Sequence, residues 1–279
     1  MRVTFFGTTT LLFDDGKDQV LFDAHFTRPS MLKYLFGRTS TDQTVVDREL
    51  ELHHVDRLRA IFVSHSHHDH VMDAPYIAKR CGAKIYGSSS TLNVARGGNV
   101  PEEQLVLYEN NRTYEVGDFR IKVIPSVHSR PTVFNNDLGQ TIDAPLRQPA
   151  RLKDYKEGGS YDFYIENRGK RIMIRASFNY LEGQLDGYQA DVLFQGITLL
   201  KKADPETEAA FYRETIGKLR PRLVVPIHWD NFFSPLTKPV TGMPRLADRT
   251  ETGFFKLAGY CEEKDIDCLI QIPGTGIEI

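Results

Sequence analysis

Residues 64–70 read Ser-His-Ser-His-His-Asp-His, which places four of the chain's nine histidines and a carboxylate in one short stretch. The stretch follows directly on the apolar run Ala60-Ile61-Phe62-Val63. Imidazole nitrogens and carboxylate oxygens are the donors that divalent metals such as Zn²⁺ take, and residues two apart in an extended segment share a face. His65 and His67 can therefore aim at one point while Asp69 and His70 follow in the turn, so the segment can feed two neighbouring metal ions. The competing reading is a solvated histidine-rich loop; its position straight after a buried-looking strand speaks against that.

The H-x-H-x-D-H order of His65, His67, Asp69 and His70 resembles the metallo-β-lactamase superfamily, a large group of hydrolases. The resemblance implies an α/β chain folded as a four-layer αβ/βα sandwich, one domain over residues 1–279. It also implies a histidine after a later strand, an aspartate bridging two metals and a last histidine near the C-terminus. Ile121-Lys122-Val123-Ile124-Pro125 leads to His128, and Leu223-Val224-Val225-Pro226-Ile227 leads to His228. Both histidines stand where a strand gives way to a loop, and ligands of α/β sheets collect at strand ends. The aspartate is missing: Arg171-Ile172-Met173-Ile174 runs into Arg175-Ala176-Ser177-Phe178-Asn179, and Ser177 holds the atypical bridge position. A neutral hydroxyl is a poor ligand for a divalent cation, so a second metal is expected to bind more weakly.

On this resemblance the first ion takes His65, His67 and His128, and the second takes Asp69, His70 and His228. The expected cofactor is zinc, one or two ions, with manganese or iron as alternatives. Zn²⁺ held by neutral imidazoles keeps its charge and lowers the pKa of a bound water from about 16 to about 7. Hydrolysis by a metal-bound hydroxide is then the expected reaction, on an ester, lactone or phosphodiester. Asp69 orients the nucleophile or relays its proton, and His228 is a second-metal ligand or a proton donor to the leaving group. The opening strands, the compact length and Val71-Met72-Asp73 after the motif look like the branch containing lactonases and phosphodiesterases. Two other readings stay open: a metal- and ligand-binding protein with weak or no turnover because of Ser177, and an RNA-processing nuclease. Asp23 and Asp230 are candidates to accept the second N–H of a ligand imidazole, although each also reads as a local cap. His68 sits at the variable position of the motif and is expected to point away; His25, His53 and His54 are not expected to be ligands.

The elements that must carry these residues are legible in outline. Val3 to Phe6, Thr10 to Phe13 and Val20 to Asp23 form an opening meander, turned at Asp14-Asp15-Gly16. Asp73 to Gly82 reads as a short helix with an aspartate cap, and Gly87-Ser88-Ser89-Ser90-Thr91 caps another after the strand Lys84 to Tyr86. Asp162 to Glu166 and Arg171 to Ile174 form a hairpin about Asn167-Arg168-Gly169, and Asp191 to Gln195 is a buried strand. Asp204-Pro205 opens a helix whose Ala209, Tyr212, Ile216 and Leu219 share a face. Residues 26–56, 129–160 and 229–252 lack a clear period and read as loop insertions. The second leaves His128 directly and carries Arg130, Phe134, Arg147 and Arg151, so it is the expected place of substrate recognition. Its arginines suit a phosphate or carboxylate, and any one of them equally reads as merely solvated.

Composition sets the remaining bounds. With 279 residues, 41% of them hydrophobic and 26% charged, the chain can bury a large core. A net charge of −2 gives no overall basic field for nucleic acid or an anionic membrane, so a small-molecule substrate is the expected partner. No run approaches the roughly 18 apolar residues of a membrane span, and Met1-Arg2-Val3-Thr4-Phe5-Phe6 alternates as a strand; a cytoplasmic location is the expectation. Cys81, Cys261 and Cys268 have no metal-like spacing and are expected to be reduced. Composition leaves the oligomeric state open.

Overall fold

In the computed structural model, residues 1–132, 136–245 and 247–279 are described; Phe134 lies outside them. β1 (Arg2–Gly7), β2 (Thr10–Asp14) and β3 (Gln19–Phe22) form the expected antiparallel meander. β4 (Leu58–Phe62), β5 (Lys84–Gly87) and β6 (Leu105–Leu107) then add in parallel. β7 (Thr113–Val116), β8 (Phe119–Ser126), β9 (Ser160–Asn167) and β10 (Lys170–Arg175) are antiparallel, and β11 (Val192–Gly196), β12 (Leu223–Ile227) and β13 (Asp267–Cys268) extend β10 in parallel. β14 (Thr275–Glu278) returns to pair with β1. The result is two seven-stranded sheets, ordered β14-β1-β2-β3-β4-β5-β6 and β13-β12-β11-β10-β9-β8-β7.

The period-two pattern of the strands puts an apolar side chain on each face. Inward, the sheets meet through aromatic rings: Phe13 lies 5.9 Å from Phe194 and Phe22 lies 5.2 Å from Phe163. Outward from the first sheet, Leu12, Leu21, Ile61 and Ile85 pack with residues of α2 (Gln43–Leu52), α4 (Ala74–Cys81) and α5 (Ser89–Gly97). Before α2 comes α1 (Met31–Phe36), none of whose residues is fully buried, and before α4 comes the single turn α3 (His68–Val71). On the second sheet, α6 (Pro205–Glu214), α7 (Ile216–Leu219) and α8 (Thr250–Glu263) contribute Phe211, Leu219 and Leu257 to the core. This is the four-layer αβ/βα sandwich. No helix among the described residues is long and apolar enough to cross a membrane.

Three local expectations are corrected. Residues 26–56 are not irregular throughout: they carry α1 and α2, and Val46 and Leu50 of α2 are buried. Ala209 is exposed, because the helix breaks at Thr215 and α6 buries Ala210, Phe211 and Tyr212 instead. Asp73 does not cap α4 through its side chain; its Oδ2 accepts the backbone N–H groups of Phe26 and Thr27 at 2.7 Å each, which anchors the start of the 26–56 segment. The third irregular stretch is tied down by a buried ion pair, Arg28 Nη1 to Asp230 Oδ2 at 2.8 Å. Gly7 makes room for it: at φ 99° it has no Cβ, and one placed there would meet Arg28 Nη2 at 1.9 Å. Replacing Arg28 with alanine leaves Asp230 buried without its cation, and urea unfolding is expected to show a loss of about 3–5 kcal/mol; a loss under about 1 kcal/mol contradicts that placement.

Candidate metal centre

β4 is paired on both sides, so Val63 and Ser64 leave the sheet at a fixed point. Ser64 is then gripped by Asp23 at the end of β3, donating its N–H to Oδ1 at 2.7 Å and its hydroxyl to Oδ2 at 2.8 Å. Ser66 N donates to the carbonyl of Glu157 at 2.8 Å. His67 is still extended, with φ −64° and ψ 152°, and α3 begins immediately after it. That switch of backbone sends Asp69 and His70 in a different direction from His65 and His67.

The chain ends of β8 and β12 complete two clusters. His65, His67 and His128 each offer a ring nitrogen, all within 4.8 Å of one another, and Asp69, His70 and His228 form a second such set. The sets adjoin, since the His65 and His70 ring centres are 3.7 Å apart. His70 Nε2 and His228 Nε2 each lie 3.5 Å from Asp69 Oδ2.

Acceptors behind the rings fix which nitrogen is free. His70 Nδ1 donates to Asp23 Oδ2 at 2.7 Å, and His128 Nδ1 donates to the Ser129 carbonyl at 3.0 Å. A carbonyl only accepts, and Asp23 Oδ2 already accepts the Ser64 hydroxyl, so the N–H sits on Nδ1 and Nε2 keeps its lone pair. The Ser64 hydroxyl gives its proton to Asp23 and accepts from His65 Nδ1 at 3.1 Å. Thr198 does the same for His228: its hydroxyl donates to the His228 carbonyl and accepts from Nδ1 at 2.9 Å. His67 is reversed. Its Nε2 donates to the two carboxylate oxygens of Asp137 at 3.1 and 3.3 Å, which leaves Nδ1 for the cluster.

These residues fit a cation. The Nε2 atoms of His65 and His70 are buried with no hydrogen-bond partner, an arrangement that costs free energy unless something electropositive sits between the lone pairs. Burial pushes the His65 pKa well below its usual value and that of His128 down to about 3, so both are neutral, as ligands must be. Burial opposes ionisation of Asp69, but His70, His68 and His228 outweigh it and hold the carboxyl well below the usual range. The backbone is strained nearby: Thr8, Asp23 and His228 have φ of 53°, 53° and 56° without being glycine. Such conformations cost about 1–3 kcal/mol each and persist where surrounding bonds impose them. Here His228 N donates to Thr8 O at 2.5 Å, Thr8 N to Asp230 Oδ1 at 2.6 Å, and Asp23 N to Phe62 O at 2.8 Å.

The structure therefore brings together His65, His67, Asp69, His70, His128 and His228, and separates others. Asp23 accepts from the His70 ring, one of the two roles that its sequence position left open. Asp230 does not: it pairs with Arg28 and holds the Thr8 backbone, reaching His228 only through that residue. Ser177 follows β10, and its carbonyl accepts from Gln195 Nε2 at 3.1 Å. Among the described residues no carboxylate belongs to both sets. Asn179 is occupied in holding His128, donating Nδ2 to its carbonyl at 2.6 Å. His25 and His68 are in neither set; their rings pack edge to face at 5.9 Å beside the second one. Trp229, although next to His228, turns into the core against Phe254, while Phe232 lies 5.7 Å from the His228 ring.

Sequence reading missed Asp137, Thr198 and Tyr34. Each comes from a different segment, and nothing local marks them. Tyr34 on α1 packs 5.4 Å from His68 and 5.2 Å from Phe233; burial, then the charges of Asp69 and Asp137, push its pKa up to about 12, so it keeps its proton. Asp137 closes a carboxylate–histidine pair on the first cluster. Asp137→Asn is expected to weaken metal binding there by about 10- to 100-fold, read by chelator competition; unchanged affinity contradicts the pairing.

Comparison with known proteins gives the family and the fold. A family model described as a Beta-lactamase superfamily domain matches residues 18–229. A protein of Heliobacterium modesticaldum named UPF0173 metal-dependent hydrolase is 25% identical over 285 aligned residues, covering 100% of this chain and 98% of the relative. Among solved structures, the metallo-β-lactamase fold protein YhfI of Bacillus subtilis superposes with a TM-score of 0.60 at 14% identity, covering 99% of each chain. The short form of human tRNase Z superposes with a TM-score of 0.56 at 15% identity, covering 100% of this chain and 99% of that one. At these identities the two structures speak for the fold alone.

Proposed function

Because this chain belongs to the metallo-β-lactamase superfamily, we propose that it is a metal-dependent hydrolase of ester, lactone or phosphodiester bonds in a small-molecule substrate. His65, His67 and His128 hold one ion, and Asp69, His70 and His228 a second. Zinc suits five imidazoles and a carboxylate, and manganese or iron accept the same donors. With no carboxylate shared between the sets, the second ion is the weaker one. When bound, the metal supplies a Lewis acid for the scissile carbonyl or phosphoryl oxygen and makes water ionise at neutral pH. Asp69, ionised and fixed on α3, accepts the proton of the attacking nucleophile and orients it. Thr198 fixes the His228 ring so that its Nε2 faces Asp69 and the reacting centre. Tyr34 and Phe232 pack beside this set, 5.4 Å from the His68 ring and 5.7 Å from the His228 ring.

The observation that carries the reading is the pair of adjoining ligand sets with buried, unpartnered Nε2 atoms. The test compares chelator-stripped protein with protein reloaded with Zn²⁺, Mn²⁺ or Fe²⁺ on 4-nitrophenyl acetate, a γ-lactone and bis(4-nitrophenyl) phosphate. Turnover that returns with metal supports it. A protein that retains its metal and cleaves none of them supports a binding role instead.

A further inference from the structure

A cavity of about 130 Å³ opens among the loops that leave β8, β10 and β11. Its lining includes Arg130, Phe178, Asn179, Tyr180, Lys202 and Phe211. Two features define what it can hold. The walls are aromatic, with the Phe178 and Phe211 rings 4.5 Å apart, and the volume approaches the roughly 150 Å³ of a cavity that takes one benzene ring. The charge at the cavity is positive, from Arg130 and Lys202, and no carboxylate lines it among the described residues. Among the described residues the Lys202 ammonium makes no hydrogen bond or ion pair. Arg130 uses one N–H on Thr207 Oγ1 at 3.3 Å, which leaves others free for an anion. The nearby Asp204 is engaged as the cap of α6, accepting the Thr207 N–H at 2.8 Å and its hydroxyl at 2.7 Å.

The cavity is built on the segments that fix the ligand histidines. Arg130 follows His128 by two residues. Asn179 holds the His128 carbonyl, and Phe178 N donates to Ser129 Oγ at 3.1 Å. Leu199, also in the lining, follows Thr198, the residue that orients His228. A molecule seated here therefore lies next to His128 and to the loop that carries Thr198.

We propose that this cavity is a subsite for an organic anion, a carboxylate or sulfonate carried on a flat apolar body, with Arg130 and Lys202 receiving the charge and Phe178 and Phe211 the ring. Calling the occupant part of a substrate rests on the hydrolase reading; the binding itself does not. The test is calorimetric titration of the zinc-loaded protein with benzenesulfonate, which is a poor metal ligand, and with neutral benzyl alcohol. The sulfonate binds about tenfold or more tightly in the wild type, and the double variant R130Q/K202Q loses that preference while keeping its metal content and its affinity for the neutral compound. Equal binding of the two compounds by the wild type, or a preference that survives in R130Q/K202Q, overturns the subsite. An anion preference in a protein that hydrolyses nothing upholds the subsite and counts only against the hydrolase reading.

Discussion

Replacing His65 with alanine is expected to remove the ion held by the first set and to lower kcat/KM on any substrate of the wild type by about 10³-fold or more. His65 is the buried hub of that set: its ring contacts those of His67, His70 and His128 at 4.9, 3.7 and 4.7 Å. Its Nε2 has no protein partner to compensate for the metal, so the imidazole has no other evident use there. Losing one of three imidazole donors leaves an open two-histidine site, too weak to hold the ion in a metal-buffered solution. Metal per chain measured with activity gives the readout, and His53→Ala is the control. His53 ends α2 beside Glu49 and stands outside both sets, so its loss leaves metal and turnover unchanged. A His65→Ala protein that retains wild-type metal and activity contradicts the assignment.

The second large effect is expected at Asp23, which touches no proposed metal. Its buried carboxylate accepts from His70 Nδ1 at 2.7 Å, from Ser64 N at 2.7 Å, from the Ser64 hydroxyl at 2.8 Å and from the Thr9 hydroxyl. One side chain therefore fixes the tautomer of a second-set ligand and the exit of the whole 64–70 segment from β4. Asp23→Ala strands these donors in a dry site. Metal affinity of the second set falls by about 10- to 100-fold, and unfolding free energy falls by about 3 kcal/mol because buried donors lose their acceptor. Asp23→Asn keeps one acceptor oxygen and falls between the two. Chelator competition and urea denaturation measure the effects, and an alanine variant with wild-type affinity removes Asp23 from the account.

The clustered donors were legible because strand ends leave a local trace. Apolar runs ending at Val63 and Ile227, and the run through Pro125 that leads to His128, can be read without coordinates; the order of donors after them needs only the sequence. The missing carboxylate near Ser177 was legible for the same reason. What surrounds the ligands was not. Asp137 reaches His67 across 70 positions and Thr198 reaches His228 across 30, so neither has a period or spacing to betray it. Asp23 and Asp230 look alike in sequence, each at or just past a strand end; only the fold distinguishes the acceptor for His70 from the partner of Arg28. Arg130, Arg147 and Arg151 were equivalent candidates. All three are exposed in the structure, and Arg130 also lines the cavity beside Phe178 and Phe211.

The most direct measurement is elemental analysis of the purified protein after incubation with excess Zn²⁺, Mn²⁺ or Fe²⁺ and desalting. Two adjoining sets of imidazole and carboxylate donors predict at least one tightly held equivalent per chain, and a second that is lost first to a chelator. Less than about 0.1 equivalent of every metal contradicts the centre, and with it the chemistry assigned to this fold.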